Sequence, residues 1–518
     1  MSYISACKPY GSNDVIIWER TENGRETFQV PAPYYFYAKD PKGPYTTIYN
    51  DKCSKLVFPT SSAMRQAKDA LKQEGVEIFE SDIPPELRIL SERYYGKAAP
   101  KLHYTLLDIE VDYSPDIGFA STDNPYAPIN AVALFHEWSK KAICIAVPPD
   151  SSWTQERALK EIGSVVPMPD GLDFELVLVK NERELLLLLL DEIEESDVLS
   201  AWNGSMFDMP YIAARLEKMG KKYTKRLCFP EAEDIKWDEV EVYGKINKLV
   251  ELSGRSHVDY LDLFKKYSVA ERQSYKLEAV ADDILPELPK LDYEGSLARL
   301  YKEDFPYFLR YNVRDTEILA GFEARLGYLD VANQMVHIST GLFKHVLGTL
   351  KLAELATVNF CHYELKQIVP DIKEVNDSSI QGAYVLYPQI GEAKLMANID
   401  ITSLYPTSIR SVNMSPETLI GQFDEEIQAC EEINKRSDKI LTLKMERTGK
   451  DISMSANEFR EYLIERKWAI SGFGTVFDQT KQGAIPALLT DWFNTRKMYQ
   501  KKMKEATSKA SDILKKYK

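Results

Sequence analysis

The stretch Tyr104-Thr105-Leu106-Leu107-Asp108-Ile109-Glu110-Val111 places two acidic residues in an otherwise apolar run. Eight residues of this kind predict a β-strand, in which side chains two positions apart point to the same face. We therefore expect Asp108 and Glu110 side by side on one face. Two adjacent carboxylates are unfavourable unless a cation neutralises them, which favours a metal site; the alternative is an edge strand with a solvated acidic face.

Two segments further along the chain carry acids near a helix. Residues 198–204 predict a strand that ends in a glycine turn, and Asp208 follows where Pro210 favours the first turn of a helix. An Asp at this place is by itself also typical of an N-terminal helix cap. Residues 305–325 predict a helix on which Tyr311 and Asp315 share one face, a pair that alone indicates packing beside a solvated acid.

Together and in order, these segments resemble the three motifs of the 3′–5′ exonuclease domain of proofreading DNA polymerases: Asp-x-Glu, Trp-Asn-Gly-x-x-x-Asp and Tyr-x-x-x-Asp. The resemblance implies an RNase H-like fold with a strand-separating hairpin near residues 239–250. It implies that Tyr311 positions water or the scissile phosphate, and that Asn203 and Phe207 lie close to a single-stranded DNA 3′ end. It also implies two Mg²⁺ ions, with Mn²⁺ as an alternative, held by Asp108, Glu110, Asp208 and Asp315.

A second motif, Asp400-Ile401-Thr402-Ser403-Leu404-Tyr405-Pro406, follows the apolar run that begins at Met396. The pattern predicts a strand that carries an acid to its end, followed by hydroxyls and backbone N–H groups able to cradle phosphate. A surface turn with one solvated Asp is the alternative. The spacing Asp-x-x-Ser-Leu-Tyr-Pro-x-x-Ile resembles the first catalytic motif of family B DNA polymerases, and residues 412–418 resemble the T-even phage branch of that family.

The family resemblance implies a role for each residue around Asp400. Asp400 would bind both metal ions of nucleotidyl transfer, and the carbonyl of Ile401 would be a ligand of one. The N–H groups of Ser403 and Leu404 would hold the triphosphate of an incoming dNTP. Tyr405 would select dNTPs by a steric clash with a ribose 2′-OH.

Two further contacts follow from the same resemblance. Arg496, on a helix predicted over residues 487–502, would grip the terminal phosphates, although Gln500 stands where the family usually has a second Lys. A solvated basic helix is the alternative. Gly382 and Ala383 match a junction that contacts the DNA template backbone, where the alternative is a turn that opens a strand.

The predicted fold class is a multidomain α/β chain. Five segments are expected: an N-terminal α/β domain (1–100), an RNase H-like exonuclease domain (101–328), a helical return to the N-terminal domain (329–378), the first part of a polymerase palm (379–470) and an incomplete fingers region with its first helix (471–518).

Composition excludes several other classes of protein. The 518 residues carry a net charge of −14, which speaks against a nucleic-acid coat protein but not against an enzyme that grips DNA through local patches. The six Cys are scattered without a C-x-x-C pair, which argues for a reducing compartment and against a zinc site. No membrane span or secretory signal is apparent, so we expect a cytoplasmic protein, in the host cytoplasm if a phage encodes it.

The sequence contains neither the Lys-x-x-x-Asn-Ser-x-Tyr-Gly motif of a second fingers helix nor a palm Asp-x-Asp pair. Because Asp400 alone cannot build a two-metal polymerase site, polymerisation is expected only with a second polypeptide that supplies these parts and the thumb. The other expected partners are primer–template DNA, single-stranded DNA and dNTPs. Two alternatives stay open: a truncated single-chain polymerase, and a non-catalytic template-binding or structural subunit.

Overall fold

The computed structural model describes residues 2–114, 116–118, 120–169, 171–242, 244–268, 270–372, 387, 390–392, 394–401 and 403–517. Contacts divide the chain into two compact units, one of Met1–Tyr34, Pro59–Ser61 and Ile83–Ala356, the other of Tyr35–Phe58, Ser62–Asp82 and Thr357–Lys518. The predicted N-terminal segment 1–100 contributes to both units, and the five domain boundaries stay a prediction. Gly382 and Ala383 lie outside the described residues.

Strands and helices alternate along the chain, which confirms the predicted α/β class. The strands are β1 (Ser2–Cys7), β2 (Asp14–Thr21), β3 (Gly24–Pro31), β4 (Tyr34–Lys39), β5 (Tyr45–Thr46), β6 (Lys52–Phe58), β7 (Ile78–Phe79), β8 (Tyr104–Val111), β9 (Ile129–His136), β10 (Lys141–Ala146), β11 (Asp173–Leu178), β12 (Val198–Ser200), β13 (Lys236–Val242), β14 (Lys245–Glu251), β15 (Ser256–His257), β16 (Leu419–Phe423), β17 (Ile440–Met445), β18 (Asp451–Ser455), β19 (Trp468–Ile470) and β20 (Thr475–Asp478).

The helices are α1 (Ser61–Gln73), α2 (Pro85–Tyr94), α3 (Gln155–Val165), α4 (Glu182–Glu192), α5 (Asp208–Met219), α6 (Lys221–Thr224), α7 (Tyr260–Tyr267), α8 (Leu277–Ile284), α9 (Leu297–Glu303), α10 (Phe305–Leu326), α11 (Tyr328–Ser339), α12 (Thr349–Phe360), α13 (Leu404–Val412), α14 (Ile427–Lys435), α15 (Ala456–Arg466) and α16 (Ala484–Tyr517). Short 3₁₀ turns occupy Lys225–Leu227 and Phe343–His345, and a π-helical turn occupies Cys361–Leu365.

A six-stranded mixed sheet, in the order β11-β10-β9-β8-β12-β15, is the frame of the first unit. β8 pairs antiparallel with β9 and parallel with β12, and β12 pairs parallel with β15. One face packs through Ala131 and Ala133 of β9 against α10, and the opposite face packs against the leucines of α4 and the first turns of α5. Asp108 and Glu110 of β8 pair with Ala133 and Ala131, so the acids lie on the same face of the sheet as α10.

Two smaller elements complete the first unit. The antiparallel sheet β1-β2-β3 buries Tyr3, Ile17 and Trp18 in a core shared with α7, α10 and α11. β13 and β14 pair antiparallel as a hairpin, at the position predicted from the alternation around residues 239–250. All six cysteines are free.

The second unit contains two sheets. The four strands β5-β6-β4-β7 bury Phe36 and Ile78 against α1. The antiparallel sheet β18-β17-β16-β20-β19 packs on α14 and α15 around Phe423 and Phe459. The helix α16 is longer than predicted, because residues 503–517 lack Gly and Pro and consist largely of good helix formers. In the described part of the chain, no helix is both long and apolar enough to cross a membrane.

The prediction of a strand that ends at Asp400 is wrong. Residues 396–401 form no strand, and Ile399 is 89% exposed. A strand needs a neighbour to satisfy its backbone N–H and C=O groups, and none of the described strands pairs with this segment. The helix α13 begins at Leu404, and Pro406 lies in its first turn, where the missing N–H is tolerated.

Candidate active site

Asp108 and Glu110 occupy a strand in the middle of the six-stranded sheet. Their direct partners across the pair are Ala133 and Ala131, which face α10. Both acids therefore share one face, as the i, i+2 spacing predicted. The edge-strand alternative is wrong, because β8 lies between β9 and β12 and Glu110 is 9% exposed.

Asp208 and Asp315 come to the same place from two helices. Asp208 is the first residue of α5, and its Oδ1 accepts a hydrogen bond from the N–H of Ile109 on β8 at 3.2 Å. The helix-cap alternative is wrong, because the N-cap of α5 is Phe207. Asp315 lies one turn after Tyr311 on α10 and is 6% exposed.

Two residues that the motifs did not predict hold these acids. Asn312 donates from Nδ2 to Oδ2 of Asp108 at 2.7 Å. Lys290 places Nζ 2.6 Å from Oδ2 of Asp315 and 4.9 Å from the ring centre of Tyr311. Asn312 could have been found from its position between Tyr311 and Asp315 on one helix. Lys290 has no local signal, because it lies in a loop 25 residues before Asp315.

Burial and mutual repulsion raise the pKa of these carboxyl groups. The pKa of Glu110 rises to about 8, first through burial and then through Asp315. Burial raises the pKa of Asp208 to about 7, although the bond from Ile109 opposes the shift. The pKa values of the other two acids are raised as well, chiefly by burial, and Lys290 opposes both shifts.

The positive charge at the site is smaller than the negative charge. Burial disfavours the ammonium of Lys290, but Asp315, Tyr311 and Asp108 together raise its pKa and keep it charged. Arg314 also acts on Asp315 but is already paired with another acid of α10, so ionisation of all four carboxyl groups would leave an excess of negative charge. Such a site favours an additional cation.

Hard divalent cations such as Mg²⁺ prefer the carboxylate oxygens that this site offers. Oδ1 of Asp315 is buried and has no hydrogen-bond partner among the described residues, so one oxygen is left for a cation. The donor chemistry fits a divalent ion. Across the described ranges, however, no three His, Cys, Asp or Glu side chains form a ready set of metal ligands. The carboxylates can therefore serve as metal ligands, but they are not arranged in advance as a complete coordination site. Asn312 and Lys290 hold two of them in place.

A cavity of about 490 Å³ opens beside the acids and is lined by Asn203, Tyr311 and Lys290, together with Trp202 and Lys276. Asn203 follows β12 in a left-handed conformation with φ 63°. The structure thus brings two of the predicted site residues, Asn203 and Tyr311, to one cavity. Phe207 is not among the residues that line it, and its ring lies 5.1 Å from that of Tyr211.

The predicted nucleotide-binding residues lie in the second unit. Arg496 on α16 donates from Nη1 to Oγ of Ser403 at 3.0 Å. These two predicted residues are therefore in contact, and Ser403 adopts φ 55° just before α13. Leu404 is half exposed and Tyr405 is 69% exposed.

The remaining residues of the predicted palm site do not form a comparable group. Asp400 and Ile401 are exposed, on the segment without strand pairing. The sequence did not predict the contact that joins α13 to α16: Arg410 donates from Nε to Oγ1 of Thr490 at 3.0 Å and stacks on Phe493 at 4.8 Å.

Comparison with known families gives two separate matches along the chain. Residues 70–280 match the exonuclease domain of DNA polymerase family B, and residues 359–517 match the DNA polymerase family B domain. The first range contains Asp108, Glu110 and Asp208, and the second contains Asp400 and Arg496. The chain belongs to DNA polymerase family B.

Individual family B polymerases match over most of this chain. The DNA-directed DNA polymerase of Escherichia phage RB69 is 26% identical over an alignment of 519 positions. The alignment covers 93% of this chain and 52% of that protein. That of Enterobacteria phage T4 is 25% identical over 520 residues, covering 95% and 53%. A DNA polymerase of Pyrococcus horikoshii is 25% identical over 378 residues, covering 70% and 27%. The predicted resemblance to phage members is confirmed, and the chain spans about half the length of these phage relatives.

Proposed function

We propose that this family B polymerase chain removes nucleotides from the 3′ end of single-stranded DNA in a metal-dependent reaction. The observation that carries the proposal is the group of four neighbouring acids, three of them buried and Asp108 half-buried, with Lys290 and Tyr311 beside one cavity. The match of residues 70–280 to the family B exonuclease domain supports it.

The acids would hold the divalent ions, two for this reaction, with Mg²⁺ as the expected ion and Mn²⁺ as the alternative: Asp108, Glu110, Asp208 and Asp315. A bound ion supplies a water of lowered pKa and stabilises charge on the leaving oxygen. The unpartnered Oδ1 of Asp315 and the raised pKa values support this role, because both favour a cation.

The other residues would bind and orient the DNA. The cavity beside Asn203 would receive the terminal nucleotide, and Phe207 would contact the strand from the start of α5. Burial raises the pKa of Tyr311 to about 12, so its phenol stays protonated and able to donate to water or phosphate. Lys290 would place its ammonium near the phosphate charge.

We further propose that the second unit contributes to nucleotidyl transfer. Asp400 and the carbonyl of Ile401 would bind metal, the N–H groups of Ser403 and Leu404 would hold the triphosphate, and Tyr405 would exclude ribonucleotides. The bond between Arg496 and Ser403 supports a shared phosphate site.

Gly382 and Ala383 stay proposed template contacts. These 518 residues hold one palm acid for a reaction that uses two metal ions, so we expect further parts from a second chain. A longer single chain is the alternative source of those parts, and a non-catalytic template-binding subunit is the alternative function.

Digestion of single-stranded DNA tests the exonuclease proposal. With a 5′ label and Mg²⁺, the wild-type chain should shorten the strand from its 3′ end, and EDTA should stop it. Asp108→Ala with Glu110→Ala should lower the rate at least about 10²-fold, the upper end for loss of groups that orient a metal. Asp173→Ala, an exposed acid on β11 of the same sheet, is the matched control and should be fully active. Wild-type digestion no faster than that of the double variant would contradict the proposal.

A further inference from the structure

The turn after β12 meets Asp259, the second residue after β15, at one edge of the six-stranded sheet. The two strands are parallel neighbours with Leu199 opposite His257, so their carboxyl ends lie together. Gly204 forms the inside of the turn. A Cβ at this position would lie 2.4 Å from Cβ of Ala201, so the turn admits only glycine there.

Asp259 follows β15 and spans this turn with its carboxylate. Oδ1 accepts from the N–H of Asn203 at 3.0 Å, and Oδ2 accepts from the N–H of Ser205 at 2.9 Å. Oδ1 also accepts from the N–H of Leu261 at 3.0 Å and caps α7. Asp259 is 2% exposed, so each of these N–H groups would lose a buried acceptor if the carboxylate were removed.

The turn held by Asp259 leads directly into the proposed exonuclease site. Asn203 lines the cavity, and the carbonyl of Gly204 accepts from the N–H of Met209 at 3.0 Å, which ties the turn to the start of α5. Asp208 is the first residue of that helix. A shift of the turn would therefore move both Asn203 and Asp208.

We propose that Asp259 is a positioning residue of the exonuclease site: its carboxylate fixes the turn from Asn203 to Ser205 and thereby the places of Asn203 and Asp208. Asp259 acts through the turn and not on the reacting atoms. The inference rests on the proposed exonuclease function.

Two variants separate positioning from folding. Asp259→Asn keeps the shape but offers one acceptor oxygen instead of two, so the N–H of Asn203 or Ser205 faces an amide NH₂. Asp259→Ser keeps a good N-cap for α7 but is too short to span the turn. Asp262→Asn is the matched control, because Asp262 lies on the same helix with 40% of its side chain exposed.

With 5′-labelled single-stranded DNA, kcat should fall at least about tenfold in both Asp259 variants, since small misplacements near a reacting centre lower rates up to about 10²-fold. The Mg²⁺ concentration for half-maximal rate should rise, because Asp208 is displaced. Amide hydrogen exchange at Asn203 and Ser205 should become faster in Asp259→Asn. Asp262→Asn should match the wild type in all three measurements.

Unchanged hydrogen exchange at Asn203 and Ser205, or unchanged kcat and Mg²⁺ dependence in the folded variants, would overturn the proposal. A loss of activity that follows a lower unfolding temperature and disappears in a cooler assay would also overturn it, because Asp259 would then only stabilise the fold. Wild-type activity no higher than that of Asp108→Ala with Glu110→Ala would contradict the exonuclease function itself. In that case, hydrogen exchange at Asn203 and Ser205 would still test whether Asp259 fixes the turn.

Discussion

Asp208 and Asp400 are both acids predicted to hold metal ions, and their surroundings are opposite. Asp208 is 6% exposed, accepts a backbone hydrogen bond from β8 and has a pKa raised to about 7, chiefly by burial. Asp400 lies exposed on a segment that pairs with none of the described strands. The same residue type with the same predicted role thus lies among neighbouring acids in one region and on an unpaired segment in the other.

The difference shows what turns a motif into a site. In the first unit, β8 brings two acids and α5 and α10 one each to one place, and Asn312 and Lys290 fix two of the four. In the second unit, the contact between Arg496 and Ser403 joins two predicted residues. The sequence contains no Asp-x-Asp pair that could supply a second acid beside Asp400. We therefore expect the first region to act by itself and the second to need further parts.

The largest expected effect is a difference between digestion and extension of a primer. This chain should shorten a 5′-labelled primer on a template, but it should not extend the primer with dNTPs and Mg²⁺, because a two-metal polymerase site needs more than Asp400. Asp108→Ala with Glu110→Ala prevents digestion from hiding extension.

Addition of a polypeptide with the second fingers helix, the second palm Asp and the thumb should restore extension. The same mixture with Asp400→Ala is the control and should stay inactive. Extension by the isolated chain would remove the contrast between the two regions.

Lys290→Met should have the next largest effect. The ammonium 2.6 Å from Asp315 opposes the raised pKa of that acid, and its removal should lower the exonuclease kcat about 10- to 100-fold, the range for groups that orient metal ligands. The pH dependence of the activity should also shift to higher pH, because loss of the ammonium raises the pKa of Asp315 further.

Lys302→Met is the matched control, since Lys302 is exposed on α9. A rate and pH profile like those of the wild type in Lys290→Met would show that the ion pair has no part in the reaction.

A pH dependence should also appear in the free energy of unfolding. The pKa of Glu110 rises from 4.5 to about 8 and that of Asp208 from 3.8 to about 7 in the folded protein. The native state then binds more protons than the unfolded state between these values. In this pH range the free energy of unfolding should therefore fall as pH rises. The expected slope is on the order of 1 kcal/mol per pH unit for each group that carries a proton only in the native state.

Thermal unfolding in EDTA between about pH 5 and pH 8 measures this slope. Glu110→Gln should flatten it, and Asp400→Asn, which changes an exposed acid, should leave it unchanged. An equal slope in Glu110→Gln and the wild type would show that the pKa of Glu110 is not raised in the folded protein.

Short-range pattern predicted much of the first unit. The i, i+2 spacing put Asp108 and Glu110 on one face, and the four-residue spacing put Tyr311 and Asp315 one turn apart. The same kind of reasoning failed at residues 396–401, because an apolar run becomes a strand only where another strand pairs with it. Lys290 was missed because its partner is 25 residues away with no pattern between them.

The sequence by itself determined the order of motifs, the family and the direction in which neighbouring side chains point, because these depend on residues close together along the chain. Only the tertiary structure decided which acids are buried, how far their pKa values rise and which cation faces them. It also decided that Arg496 meets Ser403 and that Asp259 holds the turn before Asp208. Burial and electrostatic attraction depend on distance in space, and the elements that supply them are far apart in sequence.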